Sequence, residues 1–293
     1  MNIPWNLGIE IELSGIPRDF ACGAMSYALN KPREKRFKKN GDFDCYAVVD
    51  EKGRSWEIHY DRSVQIKRIC KSGAPDDFYQ VEFVTPRITW EDLESVSRIL
   101  YCFEDFGGLV TKTCGLHIHV DISHFDASDI RRLCSYYFYH EPMLLKILNV
   151  HNERVKYCLP MSEEFVKLIG DRRHPTLGDL RLDWYSTYRD ENDPLGKTRY
   201  HRSRYHGLNL HSLWKGRGIE FRAFNSTLDG KLVLSYVTLI LCMLDKVKGI
   251  RSCRWSNRNE FPDNKAIRRW LNQLGISSTE NAVAWNNLTA ALG

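Results

Sequence analysis

Five short segments of this chain place carboxylate, imidazole, amide or guanidinium groups at alternate positions between aliphatic ones. In Gly8-Ile9-Glu10-Ile11-Glu12-Leu13, the aliphatics Ile9, Ile11 and Leu13 take one side and Glu10 and Glu12 the other. Successive side chains of a strand point to opposite faces, so the two carboxylates share a face. The same arithmetic groups His117, His119 and Asp121 in Leu116-His117-Ile118-His119-Val120-Asp121. Val81 and Phe83 flank Glu82; Leu208 and Leu210 flank Asn209, with His211 two positions on; Ile219 and Phe221 flank Glu220, with Arg222 two positions on. One such strand is an ordinary amphipathic strand. Five of them predict an antiparallel sheet with one packed face and one wet face, the wet face dense in metal ligands and cations.

The packed face needs cover, and helical patterns supply it. Thr89-x-x-Asp92 heads a predicted helix over Trp90–Phe106 that stops at Gly107-Gly108. Asp126–Tyr139 reads as a helix continuing toward Leu148, with Pro142 as a kink point. Leu232–Lys248 reads as a buried helix, its apolar run too short to cross a bilayer. Shorter helices, over about Asp263–Leu274 and Ser278–Leu292, close the C-terminal part. The expected fold class is α+β, in a single domain over residues 1–293 with C-terminal helices from about 231.

The 43% of hydrophobic residues is enough for a sizeable core. The nine cysteines are scattered, odd in number and contain no C-x-x-C pair, which suits a reducing compartment. The first five residues carry neither a basic n-region nor an apolar run, so the expectation is a cytoplasmic chain without a signal peptide. Net charge is +5 and unevenly placed. Lys31–Lys39 reads as a solvated basic loop, and Arg199–Arg204, just before the Asn209 strand, as a solvated loop or an anion contact. Arg189–Lys197 reads as a mobile active-site loop, with Asp190, Glu191 and Asp193 as candidate bases.

Glu10, Glu12, Glu82 and Glu220 supply four carboxylates from three strands, and crowded anions need compensating cations. Hard divalent ions, Mg²⁺ or Mn²⁺, are the simplest compensation, with His117 or His119 joining the oxygens. Arg222, with Arg202 or Arg204, would meet phosphate oxygens. No G-x-x-x-x-G-K-[ST] loop, strand-linked G-x-G-x-x-G, G-x-S-x-G elbow or H-E-x-x-H helix is present. What remains is sheet-borne, metal-dependent chemistry. A metal-dependent hydrolase of amide or phosphoester bonds and a non-catalytic binder are the competing readings. No nucleic-acid motif accompanies the basic runs, and no nucleic-acid partner is expected.

These segments, together with Trp56–Val64 (WEIHYDRSV), Val81–Pro86 (VEFVTP), Cys114–Asp121 (CGLHIHVD) and Gly207–Asp229 (GLNLHSLW through GIEFRAFNSTLD), resemble in order the motifs of the amidoligase family, over about residues 7–230. That family belongs to the glutamine synthetase and glutamate–cysteine ligase superfamily. The resemblance implies a curved antiparallel sheet forming a funnel, helices on its outer face, and an ATP-dependent carboxylate–amine ligase working through an acyl phosphate. It implies Glu10, Glu12, Glu82, His117 and Glu220 as metal ligands, and His119, Arg222, Asn209 and Ser63 on the nucleotide side. Arg222, Arg204 and His119 would be catalytic, with ATP and Mg²⁺ or Mn²⁺ as cofactors. The partners would be small-molecule or peptide acids and amines, with no membrane, and the oligomeric state is left open. Asp61 and Ser63 match a D-x-S element, with Arg62 where the family usually carries Gly.

Overall fold

The computed structural model describes residues 5–68, 73–250 and 260–292. Over these the chain divides into two compact units. The first covers Met1–Ile118, His151–Arg154 and Phe224–Leu234; the second covers His119–Val150, Val155–Ala223 and Ser235–Gly293.

The first unit holds β1 (Leu7–Leu13), α1 (Arg18–Leu29), β2 (Arg33–Phe37), β3 (Phe43–Val49), β4 (Ser55–Tyr60), β5 (Val81–Val84), α2 (Leu93–Asp105) and the start of β6 (Gly115–Val120). β1 pairs antiparallel with β5, β5 with β4, β4 with β3 and β3 with β2. The register places Ile11 opposite Phe83 and Phe83 opposite Ile58, so the aliphatic and aromatic residues form one continuous face. α1 and α2 cover that face: Phe103 meets Phe83 edge-on at 5.4 Å, and Arg18 lies over the Tyr60 ring. Ile9, Ile11, Leu13, Ile58, Val81 and Phe83 are fully buried, and this burial fixes the register, because a slip by one residue would turn every apolar side chain to the wet side. The Thr89–Asp92 capping box forms as predicted, ahead of a short 3₁₀ turn and α2.

The basic run is a correction. Arg33–Phe37 is not a loop but the edge strand β2, joined to β3 through a turn in which Lys38 N donates to Asp42 O. Charged residues suit an edge, since they discourage pairing with another chain.

The second unit holds the end of β6 (from His119), α3 (Ala127–Leu148), α4 (Glu163–Gly170), α5 (Leu177–Thr187), β7 (Leu208–Asn209), α6 (Leu210–Trp214), most of β8 (Ile219–Asn225), most of α7 (Gly230–Gly249), α8 (Asn264–Gln273) and α9 (Ala282–Thr289). α3 starts at the Asp126–Asp129 capping box and runs through Pro142. α7 is the buried helix expected, with Val237, Leu239, Met243 and Leu244 hidden from solvent. A second correction concerns His211. β7 is only two residues long, and Asn209 then caps α6 by accepting from His211 N at 2.8 Å. His211 thus leaves the strand pattern and stacks beside His201. Asp121 likewise lies past the end of β6, where its Oδ1 accepts from Ser123 N.

The eight strands have the hydrogen-bonded order β2-β3-β4-β5-β1-β6-β8-β7, and together with the helices they make the expected mixed α+β architecture. No described helix is long and apolar enough to cross a membrane. Cys22, Cys45, Cys102, Cys114, Cys134, Cys158 and Cys242 are buried and not joined by disulfides, while Cys70 and Cys253 lie outside the described residues.

Burial pushes the His140 imidazole, stacked on Trp270, down to about 4, and burial followed by the neighbouring His201 does the same to His211. Their ordinary value is 6.5, so as pH falls the unfolded chain takes up these protons first. The stabilisation is whole above 6.5 and is lost toward 4. Thermal melts between pH 7 and 4.5 should show a falling Tm, driven by a stability loss on the order of 2–3 kcal/mol per histidine at the acid end. His140→Phe should flatten part of that slope, and an unchanged slope would refute the assignment.

Candidate active site

The wet face of the first unit collects the residues that alternation singled out. Glu12 stands directly opposite Glu82, which stands directly opposite His59; one row along, Glu10 and Glu57 flank Val84. Cross-strand neighbours on one face approach within about 5 Å, and like charges there repel. His117 meets this carboxylate group from β6: its Nδ1 lies 3.1 Å from Glu10 Oε2 and its Nε2 lies 4.0 Å from Glu12 Oε1. Gly115 N donates to Glu12 Oε2 at 2.7 Å. A side chain at Gly115 would strike the Arg154 guanidinium and crowd His117, so one of these side chains would have to shift to admit it.

Two sets of donors converge. Glu10, Glu82 and His117 form one, and Glu12, Asp61 and Glu82 form the other, each with its ligand atoms within 4.8 Å of one another. Glu82 belongs to both. Asp61, which the sequence matches only to a D-x-S element, joins the second set beside Glu12 and Glu82. Its Oδ1 also accepts from Ser63 N at 2.6 Å, so Ser63 belongs to the turn that carries Asp61. Arg62 has no left-handed φ, so replacing the usual glycine there strains nothing.

The second unit builds a different cluster. Asn209 on β7 stands opposite Glu220 on β8, and its Nδ2 donates to Glu220 Oε2 at 2.5 Å. Arg222 Nη1 donates to Glu220 Oε1, and Arg222 Nε donates to Tyr157 O at 3.4 Å. His119 Nε2 lies 3.7 Å from Glu220 Oε1, and its Nδ1 lies 3.4 Å from Ser212 Oγ. Asn209, Glu220 and Arg222 are all buried.

Arg204 belongs to the chain just before β7. It follows the buried Ser203 in a 3₁₀ turn and lies over the Tyr200 and Tyr205 rings at 5.4 and 5.6 Å. In the acidic loop, Asp193 accepts from Lys197 N at 2.7 Å, Thr198 N at 2.7 Å and Thr198 Oγ1 at 2.9 Å. Burial pushes its carboxyl up, but these donors prevail and hold it down to about 2. Asp193 thus ties its own loop together.

A family model described as "Putative amidoligase enzyme" matches residues 4–244. The chain belongs to the amidoligase family. No curated protein matches it. Among solved structures it is similar to a bifunctional glutathione synthetase from Pasteurella multocida, at 11% identity and a TM-score of 0.44, over 98% of this chain and 48% of that one. The amidoligase chain thus spans about half the length of that enzyme, and at this TM-score the likeness carries no argument.

Sequence reasoning passed over Cys45, Glu57 and His59 on the wet face. The pattern was there to read, since Trp56-Glu57-Ile58-His59 alternates as the five chosen strands do.

Two outcomes follow. Opposed carboxylates destabilise the first unit when no cation is bound, so Glu82→Gln in chelator should raise Tm by roughly 2–4 °C, corresponding to about 1 kcal/mol, while a fall would contradict the repulsion. In the second unit, Arg222→Met leaves a buried carboxylate without its guanidinium and should cost about 3–5 kcal/mol in urea unfolding. Adding Glu220→Gln should recover at least half; additive losses would show that the pair is not coupled.

Proposed function

We propose that this amidoligase-family protein is an ATP-dependent carboxylate–amine ligase that forms an amide through an acyl phosphate. The carrying observation is the convergence of Glu10, Glu12, Asp61, Glu82 and His117 into two donor sets that share Glu82. Four carboxylates and one imidazole are a mainly hard donor set, which fits Mg²⁺ or Mn²⁺ and leaves room for nucleotide phosphates as further ligands. When bound, such a cation shields phosphate oxygens and stabilises the charge of phosphoryl transfer.

The chemistry balances in two steps. An oxygen of the acid substrate attacks the γ-phosphorus of ATP, ADP departs, and an acyl phosphate forms. The amine nitrogen then attacks the acyl carbon, inorganic phosphate departs, and the ammonium proton passes to a base. Glu10, Glu12, Glu82 and His117 would hold the cation, with Glu220 carried over to the same role by the family. Arg222, oriented by Glu220 and the Tyr157 carbonyl, would meet phosphate oxygens, and losing such a group typically costs on the order of 10²–10³ in rate. His119, Asn209, Ser63 and Arg204 take the nucleotide-side and catalytic roles that the family assigns to those positions. The reading takes residues 1–293 as one amidoligase domain with the family's funnel-shaped sheet, acting on small-molecule or peptide acids and amines in the cytoplasm.

Calorimetric titration of ATP into the purified chain tests this without knowledge of the acid and amine. Binding should require Mg²⁺ or Mn²⁺ and weaken at least tenfold in Glu82→Gln. If ATP fails to bind with any divalent cation, the ligase reading falls, and Zn²⁺-dependent hydrolysis becomes the reading to assay.

A further inference from the structure

The wet face of the first unit carries a third group of donors, chemically unlike the other two. We propose that Cys45, Glu57 and His59 form a separate site for a borderline-soft divalent cation, Zn²⁺, with three protein ligands and an open fourth position.

The geometry comes from the register of β3 and β4. Tyr46 pairs with Ile58 and Ala47 with Glu57, so one step further Cys45 comes level with His59. Glu57 and His59, two residues apart on β4, share a face, and Cys45 reaches the same face from β3. The Cys45 Sγ, a Glu57 carboxylate oxygen and a His59 ring nitrogen all lie within 4.8 Å of one another. His59 Nε2 is 2.8 Å from Glu57 Oε2. Zinc–ligand distances of about 2.0–2.3 Å put tetrahedral ligand atoms roughly 3.3–3.8 Å apart, so small side-chain rotations complete the site.

The donor chemistry selects the ion. One thiolate, one carboxylate and one neutral imidazole carry two negative charges, which a dication neutralises, and thiolate sulfur favours zinc over magnesium. The other two groups on this face contain no sulfur. An outer layer positions the carboxylate: Arg36 Nη1 at 3.0 Å and Ser55 Oγ at 2.8 Å both donate to Glu57 Oε1, and His59 occupies Oε2. Such outer partners orient a ligating carboxylate. The competing arrangement is an Arg36–Glu57–His59 polar network with Cys45 as a buried bystander, and it needs no ion.

This inference does not depend on ATP binding, and its test omits ATP. The reduced, metal-stripped full chain would be titrated with Co²⁺, which reports thiolate ligation through a near-ultraviolet charge-transfer band. The band should saturate at one equivalent, vanish in Cys45→Ser, need at least tenfold more Co²⁺ in His59→Ala, persist in Glu10→Gln, and be displaced by Zn²⁺. His59→Ala keeps the thiol in place, so it remains informative if the buried Cys45 variant fails to fold. Absence of the band, its persistence in Cys45→Ser, or its insensitivity to His59→Ala would each overturn the site in favour of the polar network.

Discussion

Glu12 and Glu82 stand directly opposite each other on adjacent strands, and this juxtaposition of like charges governs the first unit. It is not a local preference, since two carboxylates at a cross-strand pair repel. The other side of the same strands imposes it. Ile11, Phe83 and Ile58 align into a fully buried row beneath α1 and α2, and every residue between them must then face the other way. The hydrophobic face supplies the energy that holds the acidic face together.

The two units place their carboxylates in different company. In the second, Glu220 meets a guanidinium and an amide from the chain itself, Arg222 and Asn209, so the carboxylate is balanced internally. In the first, Glu10, Glu12, Asp61 and Glu82 gather with the His117 imidazole into two donor sets that share Glu82. Such a mainly carboxylate donor set suits a hard divalent cation.

Much of the acidic face was legible because strand alternation is a strict rule of period two, and Glu10, Glu12, Glu82 and His117 obey it. His211 was misread because a single side chain, Asn209, can end a strand by capping the helix that follows, and alternation does not register a cap. The basic run over β2 looked like a loop because its charges hide the pairing that Arg36 and its neighbours make with β3. Asp193, a candidate base by its place in the predicted active-site loop, accepts three hydrogen bonds from Lys197 and Thr198 of that loop, which alternation does not register.

By itself the sequence determined which side chains share a face on each strand, where the capped helices begin, and the family to which the chain belongs, because these follow from local periodicity and ordered motifs. Only the tertiary structure decided which strands lie side by side. That neighbour order brings Glu82 between Glu12 and His59, levels Cys45 with His59, and sets Arg222 on Glu220. Pairing between strands distant in sequence depends on how the apolar faces pack, and no local pattern encodes it.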